Sequence, residues 1–166
     1  MLASSLAGCS ALAPRPDGPA DTLAGRLSLR IDGQPQRSIS AGFELSGTPA
    51  QGQLLLSGPL GTTAARARWS AGQAVLSSAG RDTPFADLDS LAAAALGESL
   101  PMAALFDWLR GRAWPGAQAV ARGDGRAGFE QLGWAIDLQR WPEGAVDAFR
   151  STPPTVTVRV RLDRAP

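Results

Sequence analysis

The chain contains no histidine, no lysine, no tyrosine and no asparagine, and a single cysteine, Cys9, among its 166 residues. Each absence removes a class of chemistry. Without histidine there is no Ser-His-Asp or Cys-His nucleophile system, no imidazole base and no histidine metal ligand. One cysteine permits neither an internal disulfide nor a thiolate zinc cluster. Arginine supplies all 16 basic charges against 15 acidic ones, a formal net charge of +1. That balance lacks the basic field nucleic-acid binding requires. The missing lysines fit an Arg-for-Lys coding bias in an Ala/Gly-rich sequence. Hydrophobic residues at 44% are sufficient for a core, and the length suits one domain.

Cys9 is the residue that asks for an explanation. Leu6-Ala7-Gly8-Cys9 has the form of a bacterial lipobox, where a signal peptide is removed and the cysteine thiol accepts a diacylglycerol. The alternative is a chance match in an Ala/Leu/Gly-rich chain. Residues 1–8 are read as a signal peptide, either truncated or given a misassigned start, because they lack the basic segment and long apolar core of the usual form. Residues 9–22 (CSALAPRPDGPADT) are polar and Pro-rich, which reads as a lipidated N-terminus and flexible tether. No later segment reaches the roughly 18 apolar residues of a membrane span, so the expectation is a protein anchored to a membrane by acyl chains.

From residue 23 apolar residues recur with period two. Leu27, Leu29 and Ile31 form one alternation, and Ile39, Ala41, Phe43 and Leu45 a second. Further strands are expected through Gln53–Leu56, Thr63–Trp69 and Ala74–Leu76. The period then becomes helical. Asp87 or Asp89 can cap a helix carrying Leu88, Leu91, Ala92, Ala95 and Leu96 on one face, closed by Gly97. A second helix follows Pro101, with Met102, Leu105, Phe106 and Leu109 in helical spacing and Gly111 as its stop. After a Gly-rich loop, alternation returns at Trp134–Leu138 and Val156–Leu162. The pattern predicts a mainly β domain with helices (α+β), built on a curved antiparallel sheet across residues 23–166.

Two features leave alternatives open. The inward set mixes Ala41, Ala65 and Ala67 with Phe43, Trp69 and Trp134. Small residues among aromatics can leave an apolar cavity, or the helices can fill the space. The loop Gly58-Pro59-Leu60-Gly61 puts a leucine where a polar turn is expected. Leu60 either folds back on the sheet edge or stands out as a tip able to enter lipid.

Six stretches together resemble the LolB family of outer-membrane lipoprotein receptors. They are Gly25–Leu29, Gly42–Leu45, Leu54–Gly61, Leu100–Met102 with Leu105–Gly111, Gly133–Ile136 and Val156–Leu162. The likeness spans residues 23–163. It implies an incomplete antiparallel β-barrel with helices plugging its mouth, as in LolA and LolB. It also implies a protein that accepts acylated lipoproteins from the periplasmic carrier LolA and inserts them into the outer membrane. By motif, Cys9 matches the lipidated cysteine, and Pro59, Leu60 and Gly61 match the membrane-insertion loop. The implied cavity lining is Leu29, Phe43, Leu45, Trp69, Leu105, Trp108, Trp134 and Ile136. Ser10 after the cysteine, in place of aspartate, implies an outer-membrane destination with the protein facing the periplasm. The resemblance implies no cofactor, no enzymatic step, no nucleic-acid partner and a monomer held on the inner leaflet by its lipid. The chain departs from the family in its short signal and in ending at Arg164-Ala165-Pro166, where members often carry another aromatic.

Competing readings are a released periplasmic carrier of similar shape, for which Cys9 is the discriminating feature, and a structural envelope lipoprotein. An enzyme working through Asp87 and Asp89 is a third, although their spacing suits helix capping better than acid–base work.

Overall fold

The computed structural model describes residues 22–163. The expectations for Cys9 and for most of the tether therefore lie outside the described residues. The domain begins with β1 (Leu23–Ile31), whose alternation turns Leu27, Leu29 and Ile31 to one side and Arg26, Ser28 and Arg30 to the other. It is followed by β2 (Ile39–Gly47), β3 (Gly52–Ser57), β4 (Thr63–Ser70), β5 (Gln73–Ser78) and β6 (Arg81–Phe85). Two helices come next, α1 (Leu88–Leu96) and α2 (Met102–Trp108). The chain returns to strand in β7 (Ala119–Ala121), β8 (Gly128–Gln131), β9 (Trp134–Asp137), β10 (Ala145–Arg150) and β11 (Val156–Leu162).

All eleven strands join one antiparallel sheet in the order β6-β5-β4-β3-β2-β1-β11-β10-β9-β8-β7. Each half is a meander of hairpins, and the halves meet where β1 pairs with β11, Leu27 facing Val160 and Leu29 facing Val158. The sheet does not close, since β6 and β7 are its two edges. A twisted sheet of this many strands curls rather than lying flat. The segment from β6 to β7 must travel from one edge to the other, and it carries both helices across the concave side. This is the open barrel with helices at its mouth that the sequence leads one to expect.

The helix ends follow from local chemistry. The carboxylate of Asp87 accepts the Ser90 backbone N–H at 2.7 Å, and Ser90 Oγ in turn accepts the Asp87 N–H at 3.2 Å, a reciprocal cap. Asp89 instead accepts the Met102 N–H at 3.3 Å, at the start of α2. Both carboxylates are thereby engaged in holding backbone. Gly97 closes α1 in the left-handed conformation, φ 71°, that glycine adopts without strain.

Four strands are absent from the sequence reading, β6, β7, β8 and β10. In β6 the presence of Pro84 argues against a strand, but β6 is an edge, where a missing N–H costs no ladder bond. β7 and β8 lie within the stretch read as a Gly-rich loop, and are only three and four residues long. β10 reverses the usual signal: small Ala148 faces inward and is buried, while Phe149 is 44% exposed on the outside.

Candidate functional site

The apolar faces of the two helices do not fill the concavity. Between them and the strands β1–β5 and β11 lies a cavity of about 160 Å³, lined entirely by apolar side chains. Leu29, Phe43, Leu45 and Leu105, expected in the lining, are all there. Ala65 and Ala67 contribute as well, and their small size helps to keep the space open opposite the helix side chains. Sequence reasoning left out most of the helical contribution, including Leu91, Met102 and Leu109, although their helical spacing was visible.

Trp69, Trp108, Trp134 and Ile136, also expected in the lining, are not part of it. All four are buried, but they pack beside the cavity. A buried indole N–H needs an acceptor, and an apolar cavity offers none. Trp69 Nε1 donates to the Thr48 carbonyl at 2.9 Å, and its ring meets Phe106 edge-on at 5.9 Å. Trp108, beside Leu105 and Leu109 at the end of α2, is turned toward β8 and β9 and away from the void. Its Nε1 donates to Gln131 Oε1 at 2.8 Å, and its ring lies 6.0 Å from that of Trp134. Arg150 stacks its guanidinium 5.4 Å from the Trp134 ring centre. The β9–β10 half of the concavity is thus occupied by Trp108, Trp134 and the fully buried Ile136, while the void lies over β1–β5 and β11.

Gln131 is the buried polar side chain of the described core, and all its bonding capacity toward the loop after α2 is used. Its Oε1 also accepts the Trp114 N–H at 3.0 Å, and its Nε2 donates to the carbonyls of Trp114 and Ala117, each at 2.7 Å.

The β3–β4 hairpin carries the second feature. A register irregularity at Leu56/Ser57 precedes a tight turn in which the Gly61 N–H donates to the Gly58 carbonyl at 3.0 Å. Pro59 at the second turn position pre-sets the backbone, and Gly61 closes it at φ 75°. Leu60 is left at the corner with 92% of its surface exposed. It stands out and does not fold onto the sheet edge. Flanking the turn, Leu56 and Ala65 both line the cavity.

A family model described as "Outer membrane lipoprotein LolB" matches residues 22–163, the whole of this fold. The chain belongs to the LolB family. Relatives named outer-membrane lipoprotein LolB include one from Bordetella petrii, 34% identical over 152 residues, covering 86% of this chain and 76% of the relative. One from Chromobacterium violaceum is 33% identical over 147 residues, covering 84% and 79%. One from Bordetella pertussis is 36% identical over 153 residues, covering 85% and 76%.

As a LolB-family domain, the chain presents an apolar void and an exposed apolar tip, with its charged groups arranged away from the void. The ion pairs nearest the helices are structural. Arg150 Nη2 donates to Glu98 Oε2 at 2.8 Å and Nη1 to the Ser99 carbonyl at 3.3 Å, tying the α1–α2 connection to β10. Arg37 Nη1 donates to the Gly97 carbonyl at 3.4 Å. Among the described residues no cluster of three potential metal ligands occurs, and no helix is long and apolar enough to cross a membrane.

Proposed function

We propose that the chain is a lipid-anchored acceptor on the periplasmic side of the outer membrane. It takes acylated lipoproteins from a LolA-type soluble carrier, shelters their acyl chains in the cavity, and releases them to the bilayer beside Leu60. The observation that carries this reading is the wholly apolar void under the helices, bounded by the two strands that the Leu60 turn connects.

The energetics suit a transfer that needs no bond making. Each methylene withdrawn from water contributes about 0.8 kcal/mol, so an acylated protein cannot cross an aqueous space unshielded. A void close to the ~150 Å³ that admits a benzene-sized guest accommodates the end of one chain. A longer length requires the helices to move outward. α1 is suited to that movement, because it packs on β5, β6 and α2, at one edge of the sheet. Transfer then runs downhill from a weaker carrier site to this cavity and on to the membrane. Cys9, acylated, supplies the anchor.

The reading is tested by substituting Leu60 with aspartate. Leu60→Asp should accept lipoprotein from the carrier as well as the unaltered chain does, and deliver less of it to liposomes. Equal loss of acceptance and delivery would contradict the division of labour between void and tip. Mass spectrometry of the mature N-terminus gives an independent check, expected to show acylated Cys9; an unmodified thiol would contradict the anchor.

A further inference from the structure

The outer face of the sheet carries a row of residues that leads into the Leu60 turn. Register places Arg161 of β11 directly opposite Arg26 of β1, Arg26 opposite Gly42 of β2, and Gly42 opposite Ser57 of β3, the residue before the turn. Two like charges facing each other across a strand pair repel. Among the described residues neither arginine has an ion-pair partner within 4.0 Å. Arg159, two pairs further along β11 on the same face, has none either. Its register partner Asp147 is 3.5 Å from Arg140. Glu143 and Asp163 share a hollow with Arg26 and Arg161 on the side away from the turn, but neither comes within ion-pair distance of them.

The row is also concave. Gly42 has no side chain, and Ser57 Oγ takes the space beside it, 2.5 Å from where a Cβ would sit; a hollow lies between Arg26 and the turn. Arg26, Ser40, Gly42 and Ser57 line this hollow, with Ala41, Gly58, Pro59 and Gly61. A second hollow beside it is lined by Arg26, Ser28, Ser40, Arg159 and Arg161, together with Asp147 and the Arg140 that pairs with it at 3.5 Å, which leaves the arginines in excess. Guanidinium groups with serine hydroxyls around a hollow match a phosphate: charge-assisted, bidentate donors with neutral donors beside them. An anion between Arg26 and Arg161 would turn their repulsion into two favourable contacts.

We propose that this outer face, centred on Arg26 and Arg161 with Arg159 beside them, binds the phosphates of anionic phospholipid headgroups at a membrane surface. The bilayer is the occupant because the row is continuous with the exposed Leu60 tip, which places donors for headgroups next to an apolar group for the acyl region. Joint docking rests on the reading of Leu60 as a membrane tip; the phosphate site is testable without it.

The experiment is vesicle co-sedimentation of the full chain with Cys9→Ser, so that no acyl anchor masks the effect. Phosphatidylglycerol vesicles are compared with phosphatidylcholine vesicles. An arginine near an anionic surface contributes enough that losing two should cost about thirtyfold in binding. Arg26→Gln/Arg161→Gln should therefore bind phosphatidylglycerol vesicles about thirtyfold more weakly, with a shallower salt dependence and unchanged binding to phosphatidylcholine. Arg68→Gln/Arg81→Gln, which removes the same charge from β4 and β6, should lose far less. Equal loss in both double variants would overturn the site in favour of net charge alone. Full retention of vesicle binding by Arg26→Gln/Arg161→Gln would overturn it outright, including when carrier capture falls instead. Competition by inorganic phosphate at concentrations matching the headgroups would reassign the hollow to a free anion and overturn the membrane reading. If Leu60→Asp leaves phosphatidylcholine binding intact, the tip reading fails, while the arginine comparison still decides the phosphate site. Near-ultraviolet circular dichroism checks the fold; both arginines are exposed, and removing a like-charge pair should not lower the Tm.

Discussion

At Leu60 the hydrophobic effect disfavours what is seen, by about 2 kcal/mol for a leucine left in water. The turn, and not the side chain, sets the outcome, because Pro59 and the Gly61 N–H fix the corner at which Leu60 sits. Since nothing packs against it, Leu60→Asp should leave the unfolding midpoint in urea unchanged, and a marked drop would show that Leu60 belongs to the core after all. Gln131 is the opposite case, a polar side chain at 2% exposure whose oxygen and nitrogen satisfy two indole-side and loop donors and two carbonyls. Gln131→Leu strands those buried groups, and should destabilise the domain by about 3 kcal/mol or more in urea unfolding. A loss under about 1 kcal/mol would mean that water replaces the amide. Residue identity showed where apolar side chains would be buried, but not which buried ones face the void. The tryptophans were misplaced because their N–H partners, Thr48 and Gln131, lie 21 and 23 residues away in sequence.

Among the elements, α1 covers the void while packing on β5, β6 and α2 at one edge of the sheet. Its N-terminus depends on Asp87, whose carboxyl is held below the ordinary carboxylate range by the Ser90 backbone N–H and then by the Ser90 hydroxyl. A depressed folded pKa contributes stability that is present above the unfolded value and lost as pH falls through the folded one. Protection of the amides in the first turn of α1, relative to their intrinsic exchange, should therefore fall below the ordinary carboxylate range, while that of the Leu105 amide in α2, bonded to the Pro101 carbonyl, should respond less. Identical responses in both helices would contradict the assignment. The cap candidates of α1, Asp87 and Asp89, and the faces of both helices were legible because a 3.6 period and an Asp ahead of it are local. β7 and β10 were not, since their pairing partners and not their own pattern make them strands: β7 is three residues on β8, and β10 turns its one aromatic outward.

For the whole molecule, the order of strands explains why there is a cavity at all. Two meanders joined at β1–β11 leave two free edges, and among the described residues the segment that bridges them is the helical one. Whether that segment would fill or merely roof the concavity depends on where α2 sits, and α2 sits with Trp108 wedged into the β8–β9 half. Periodicity does not decide that choice, so both an open and a filled interior were compatible with it. The central claim is that acyl chains enter this void. The most direct measurement is transfer of a triacylated lipoprotein from its soluble carrier to the Cys9→Ser chain, with and without Ala67→Phe. Ala67 is buried on the cavity wall, opposite Leu54 and Leu76, so phenylalanine there occupies the space without adding a polar atom. Displacing about two methylenes' worth of burial corresponds to roughly a tenfold loss of acceptance. The account predicts that loss with the Tm unchanged or raised; acceptance by Ala67→Phe as efficient as by the unaltered chain would contradict it.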